Sequence, residues 1–314
     1  MPKTNLESTR VVIVGTGMVG STAAFAIMTQ GIASEIVLID MNKKKSQGEA
    51  MDMEHGLSFV PEAKIWAGDY KDCKDADVVV ICGGMAQKPG QTRMDLAKIN
   101  VKIITDIVKN IKKYTKKAII LMVTNPLDVL TYTALKVSGY PKNQVFGTGT
   151  TLDSSRFRYL LGEKFKIDSH SMGAYLIGEH GDSEVPVYSH ANVMGENIKS
   201  LPNYNKKDTV LAYKKTKNAA YEIISRKGAT YYGIAATIAR IVQAILNDED
   251  HIFPVSSFLN GEYGLKNVCL SLPTIIGRSG IKRMISLKLS EDELKKLKKS
   301  GQVIRQALDD AGVK

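Results

Sequence analysis

Three side chains able to do acid–base and anion-binding chemistry stand in two short segments. His180 lies in Ile177-Gly178-Glu179-His180-Gly181-Asp182, after an apolar run and between glycines. Asp153 and Arg156 lie in Leu152-Asp153-Ser154-Ser155-Arg156, and a helix there puts both on one face because residues i and i+3 are neighbours. An aspartate against a histidine makes a tuned general acid or base. An arginine grips a carboxylate through two parallel hydrogen bonds. A lone histidine is as readily a hydrogen-bonded structural residue, and spacing alone does not bring the three groups together.

A second constellation concerns phosphate. Gly15-Thr16-Gly17-Met18-Val19-Gly20 fits G-x-G-x-x-G between an apolar run and a helical pattern. There Gly15, Gly17 and Gly20 allow a tight turn, close approach of a pyrophosphate and close helix–strand packing. The helix start at Met18 and Val19 offers N–H groups to the phosphates. Asp40 ends the next apolar run, placed to accept hydrogen bonds from ribose hydroxyls. An acid there repels a 2′-phosphate, so NAD is expected over NADP.

Two loops complete the candidates. Gly83 to Arg93, with Gly84 and Gln87 inside it, is rich in glycine and polar groups. Such a loop is either a surface connection or a lid that carries a charged group onto a substrate. Asn125-Pro126, just past Val123, is a turn in which a cis bond is possible. The five histidines show no H-x-x-x-H or Cys-His spacing, so no metal is expected.

The elements that must position these groups alternate. Strands are expected at Val11–Gly15, Glu35–Asp40, Lys64–Ala67, Ala76–Cys82, Ala118–Val123 and Gln144–Thr148, separated by helical stretches. Near-continuous apolar strands between helices imply right-handed crossovers and a mainly parallel sheet. After about residue 150 the pattern changes to helices at Ser154–Glu163, Lys207–Lys227, Gly233–Asn247 and Glu291–Asp310. These bracket strand-like runs at Ser171–Ile177 and Val268–Ile275. The expected fold is α/β: a Rossmann-type doubly wound parallel sheet over 1–148, followed by a mixed α+β catalytic domain over 149–314.

Composition excludes several other classes. The 314 residues are 44% hydrophobic and 24% charged, the balance of a globular protein. The net charge of +11 divides almost evenly between the two halves rather than forming a patch, so nucleic acid is not an expected partner. The stretch Val11–Ala33 is too interrupted by glycine and polar residues to span a membrane. No targeting segment is read at Met1–Arg10. Three scattered cysteines give no disulfide framework and point to the reducing cytoplasm.

Taken together, these motifs resemble the L-lactate/malate dehydrogenase family, on the side of its bacterial L-lactate members. The resemblance runs over essentially the whole chain and adds Gln87-Lys88-Pro89-Gly90-Gln91-Thr92-Arg93, Thr124-Asn125-Pro126 and Lys227-Gly228-Ala229-Thr230-Tyr231-Tyr232-Gly233. It implies that His180 exchanges a proton with the ketone oxygen of pyruvate, and that Asp153 orients it. It implies that Arg156 binds the substrate carboxylate and that Arg93 polarises the carbonyl. Asn125 would hold the reacting oxygen, Thr230 would line the pocket, and Gly83, Gly84, Val123 and Asn125 would border the cofactor.

Substrate choice in the family turns on the place of Gln87, where malate enzymes carry arginine. Neutral glutamine therefore implies pyruvate and L-lactate as the last step of fermentation, with malate or a broader set of 2-hydroxy acids as the alternative. The resemblance further implies a homo-oligomer, a tetramer or its dimers. Sugar-bisphosphate-activated relatives carry a histidine where this chain has Gly173, with Arg158 in place of their arginine, so independence of that effector is expected. Two other classes share the nucleotide motif. NAD-dependent glycosidases resemble longer chains with a Cys/His metal site, and a non-catalytic NAD sensor would have no need of the His180, Asp153 and Arg156 set.

Overall fold

In the computed structural model, which describes residues 8–85 and 93–313, the β-branched runs of the first half become the centre of one large sheet. Strands β1 (Arg10–Val14), β2 (Glu35–Ile39), β3 (Lys64–Ala67), β4 (Val78–Ile81), β5 (Ile119–Met122) and β6 (Val145–Gly147) are parallel, in the order β3-β2-β1-β4-β5-β6. β4 and β5 are buried at every position, as strands covered on both faces must be. Helices α1 (Met18–Thr29), α2 (Lys43–His55), α3 (Arg93–Tyr114) and α4 (Leu127–Ser138) lie between them in sequence.

Alternate strand residues feed two apolar layers. Val11, Ile13 and Leu38 pack with Ala23 and Ile27 of α1 and with Ile238 and Val242 of α7 (Tyr232–Leu246). Val12, Val14 and Ile81 pack with Ile104 and Val108 of α3 and with Leu130 of α4. The strand order reverses between β1 and β4, which opens a crevice at their carboxyl ends. The expected doubly wound parallel sheet is therefore present, with strand ends within two residues of those read from sequence.

The second half is mixed, as expected, but its longest strands do something the sequence reading missed. After α5 (Thr151–Phe165) come short strands β7 (Met172–Gly173), β8 (Leu176–Ile177), β9 (Val185–Pro186), β10 (Asn192–Val193) and β11 (Glu196–Asn197), then α6 (Lys206–Lys227) and α7. Three antiparallel strands follow, β12 (His251–Asn260), β13 (Lys266–Gly277) and β14 (Gly280–Met284), before α8 (Glu291–Asp310). They continue the first sheet, β12 meeting β6 at Ser256 opposite Gly147, to give nine strands among the described residues.

Pro254 and the polar pair Ser256-Ser257 interrupt the apolar run of β12, which hides it in sequence. Here Pro254 faces Pro273 across the β12–β13 ladder, so both missing N–H donors fall on one rung. The single run expected at Ser171–Ile177 is instead β7 and β8. Its two ends find different partners, β10 for Met172–Gly173 and β9 for Leu176–Ile177.

Candidate active site

The crevice at the switch point is built from glycines used in different ways. Gly15 leaves β1 at a φ of +97°, and a Cβ there would lie 2.4 Å from the backbone nitrogen of Gly83. A Cβ at Gly20 would lie 1.9 Å from the Gly15 carbonyl oxygen, so these two glycines are demanded by packing. Gly17 is open: nothing stands within 4 Å of the place of its Cβ. It caps α1, whose first-turn N–H groups, from Met18 and Val19 onward, have no acceptor within the helix.

Asp40 stands just past β2. One carboxylate oxygen accepts the Thr16 N–H at 2.8 Å and the Thr16 hydroxyl at 3.1 Å, and the other accepts the Asn42 N–H at 2.9 Å. Partial burial opposes its charge, but these donors and Lys45 outweigh that and hold the carboxyl below its usual range. An open glycine at a helix N-terminus and an ionised acid beyond the second strand fit the pyrophosphate and ribose of a dinucleotide.

The far wall of the crevice is tied to the same place. The Thr124 hydroxyl donates to the Gly83 carbonyl at 2.9 Å, and a Cβ on Gly84 would collide with the Thr124 methyl. The Val123 N–H bonds the Ile81 carbonyl at 3.0 Å. Asn100 of α3, fully buried, accepts the Met85 N–H at 2.8 Å and donates to the Asn125 carbonyl at 2.7 Å. It thus fixes the root of the Gly83–Arg93 loop against the Asn125-Pro126 turn, whose bond is cis. Gln87 lies outside the described residues, as does the side chain of Arg93, which opens α3.

His180, Asp153 and Arg156, which spacing alone could not unite, do meet. The His180 Nδ1 lies 2.7 Å from one oxygen of Asp153, and the Arg156 guanidinium donates to the other at 3.0 Å. Asp153 sits in the first turn of α5, where the helix dipole favours a carboxylate. Burial works against its charge, yet His180 and Arg156 together keep it ionised below the usual range. Burial likewise opposes the imidazolium, but Asp153, with help from Asp128 and Glu184, raises His180 to about 9. With Nδ1 engaged, Nε2 is the ring atom left to give or take a proton.

The loop carrying His180 is held from three sides. Gly178, at a φ of +91°, pairs with Ser271 of β13 through two backbone bonds. The hydroxyl of Ser300 in α8 accepts the Glu179 N–H at 2.8 Å. Asp128, in the first turn of α4, accepts the His180 N–H at 2.7 Å and the Ser256 hydroxyl at 2.5 Å. Asp128 is entirely enclosed, and burial pushes its carboxyl to about 7.

The resulting cleft, of about 310 Å³, is lined by Asn125, Asp153, Arg156, His180, Glu184 and Lys217 among others. Thr230 stands in the turn between α6 and α7, outside this lining. Sequence reasoning passed over Asp128, Asn100, Ser256 and Glu184. An acid three residues past Asn125, in the first turn of a buried helix, was a usable signal for Asp128. The other three carry none, because their partners lie far off in the chain.

Residues 9–147 match the NAD-binding domain of lactate/malate dehydrogenase, and residues 150–313 match its alpha/beta C-terminal domain. The chain belongs to the lactate/malate dehydrogenase family. Within that family it is 48% identical to an L-lactate dehydrogenase of Priestia megaterium, over 99% of this chain and 98% of the relative. An L-lactate dehydrogenase of Acetivibrio thermocellus is 47% identical over 95% and 96% of the two chains. Among solved structures, a lactate dehydrogenase from a Medee basin deep-sea metagenome library superimposes with a TM-score of 0.94 at 45% identity, covering 97% of this chain and 99% of that one. The minor L-lactate dehydrogenase of Enterococcus mundtii, in its ligand-bound form, gives 0.94 at 43% identity over 96% and 98%. This family member has no helix, among the described residues, long and apolar enough to cross a membrane.

Proposed function

We propose that this chain is an NAD-dependent L-lactate dehydrogenase, which interconverts pyruvate and L-lactate. The observation that carries the reading is the sharing of Asp153. One oxygen holds the acid–base histidine and the other holds the arginine that would receive the substrate carboxylate. A proton donor and an anion anchor are thereby kept at a fixed separation, which is what a 2-oxo acid requires. The names of the relatives support the same reading.

An NAD whose pyrophosphate lay at the Gly15–Gly20 turn would supply or accept hydride through its nicotinamide. The chain's own residues do the rest. Asp40 would hold the adenosine ribose, and Gly17, Met18 and Val19 would face the pyrophosphate. Gly83, Gly84, Val123 and Asn125 would border the nicotinamide side. Arg156 takes the substrate carboxylate by a charge-assisted pair. His180, protonated, gives its Nε2 proton to the ketone oxygen in reduction and takes one back in oxidation. Arg93 stabilises the charge that develops on that oxygen, and Asn125 and Thr230 complete the pocket. Gln87, neutral, leaves a second substrate carboxylate unpaired, which disfavours oxaloacetate by several kcal/mol.

The cofactor unit is taken as 1–148 and the substrate unit as 149–314, in a cytoplasmic homotetramer. The three free thiols support the compartment, and the apolar side chains of Met18, Phe25, Met51 and Tyr232, exposed in one chain, support assembly. The test is the loss of near-ultraviolet NADH absorbance with a panel of 2-oxo acids. Pyruvate should be turned over far faster than oxaloacetate at equal concentration, and the reverse ranking would overturn the substrate assignment.

A further inference from the structure

One buried acid beside the site takes no part in the chemistry above. Glu184 ends the His180 loop just before β9 and is only 6% exposed, yet it lines the substrate cleft. Its Oε1 is shut away from solvent and has no hydrogen-bond partner among the described residues. The backbone around it is fixed, since its N–H reaches the Gly181 carbonyl at 3.3 Å and its carbonyl accepts the Tyr213 hydroxyl at 2.8 Å. A carboxylate oxygen shielded from solvent and without a protein donor is costly to charge, whereas a neutral carboxyl tolerates the same place.

The charged groups around it pull in both directions. From α5, Asp153 repels its charge and Arg156 attracts it. From its own loop His180 attracts it, and from α6 Lys217 attracts it while Tyr213 lies against it. Burial is the largest influence, Asp153 adds to it, and the cations do not fully compensate. The carboxyl is accordingly pushed up to about 8. Glu184 is therefore neutral at neutral pH and can ionise inside the working range of the enzyme.

We propose that Glu184 is a charge gate on the substrate subsite: neutral, it leaves the Arg156 guanidinium to the substrate carboxylate, and ionised, it competes for that guanidinium and repels the incoming anion. The proposal rests on the reading that Arg156 receives a 2-oxo acid carboxylate. The gate acts on binding rather than on proton transfer. Its ionisation supports the His180 imidazolium, so on the chemical step it works in the favourable direction. Loss of His180's proton and loss of Glu184's proton should each weaken anion binding. A subsite with both ionisations loses affinity with a slope approaching two decades per pH unit, where one ionisation gives one decade.

The experiment uses oxamate, an unreactive anion with the shape of pyruvate, titrated into the enzyme–NADH complex by quenching of nicotinamide fluorescence across neutral to alkaline pH. The wild-type protein should show log Kd steepening toward a slope of two. Glu184→Gln, which keeps size and removes the ionisation, should show a slope of one and bind oxamate about tenfold more tightly than wild type one unit above the Glu184 midpoint. A wild-type slope that never exceeds one overturns the gate without any variant. So does a variant that folds, binds NADH and keeps the wild-type slope. If oxamate fails to bind the NADH complex at any pH, the substrate-site reading itself falls, an outcome distinct from either slope.

Discussion

Asp153→Asn removes one charge from the centre of the site and leaves its shape. His180 is held at about 9 against an ordinary 6.5. That gap corresponds to a net preference for the imidazolium of about 3 kcal/mol. Burial alone would push the ring the other way, so without the Asp153 charge it should titrate at or below its ordinary value. At about pH 7.5 the protonated fraction then falls from roughly 97% to roughly 9% or less, and kcat/KM for pyruvate falls at least tenfold through that alone. Misorientation of the ring should add to the loss, since an asparagine amide can as easily donate to Nδ1 as accept from it. In lactate oxidation the protonation effect has the opposite sign, because the neutral ring is the competent form, and only misorientation is lost. The assay is kcat/KM in both directions across the pH range, which reports ionisations of the form that binds the varied substrate. Wild-type reduction should lose its His180-dependent limb as pH rises through about 9, above the binding loss that Glu184 sets near 8, and in the variant the His180-dependent limb should move down by two units or more. A variant limb within about half a unit of wild type would refute the assignment of Asp153 as the source of the histidine's basicity.

Four further outcomes can be checked. Asp40→Ser should raise the ratio of NADPH to NADH use by at least about tenfold, because the repelling carboxylate is gone; an unchanged ratio in initial-rate assays would count against Asp40 as the ribose acid. Gln87→Arg should shift kcat/KM from pyruvate toward oxaloacetate by several decades, and a move of less than about tenfold, or 1.4 kcal/mol, would remove Gln87 as the selector. Gly20→Ala should cost about 1–3 kcal/mol in denaturant unfolding and weaken NADH binding, because its Cβ would lie 1.9 Å from the Gly15 carbonyl; a midpoint equal to wild type would show that the turn relaxes freely. Fructose 1,6-bisphosphate should leave the pyruvate saturation curve unchanged at physiological salt, since Gly173 offers a phosphate no side chain and the Asn192 amide stands 2.6 Å from where its Cβ would be; a large fall in half-saturation would show that another residue supplies the donor.

What could be read in the sequence was what depends on neighbours along the chain. The Gly15–Gly20 turn announces itself because strand, turn and helix start are contiguous, and the parallel strands because burial on both faces leaves unbroken apolar runs. The pairing of Asp153 with His180 was chemically suggested but not derivable from spacing. It depends on α5 and the loop after β8 arriving at the same end of the sheet. The contact of Asp128 with Ser256 is invisible for the same reason, since the two meet across 128 positions of sequence. Strand β12 is hidden on a different ground: Pro254 and the polar pair Ser256-Ser257 interrupt its apolar run, and its partners β6 and β13 lie elsewhere in the chain.

The meeting of β6 with β12 at Ser256 and Gly147 has a meaning for how such a chain can be cut or recombined. A strand at the margin of a sheet exposes a row of unpaired donors and acceptors that will accept any passing strand. Each half of this chain would end in such a margin, β6 on one piece and β12 on the other, and only their union removes both. The nucleotide-binding half, although it has the strand order of a familiar module, is therefore no interchangeable cassette. Whatever is joined to it must bring a strand for β6, and the piece that brings it here also carries, on Ser256, the hydroxyl that donates to Asp128, which in turn holds the His180 backbone.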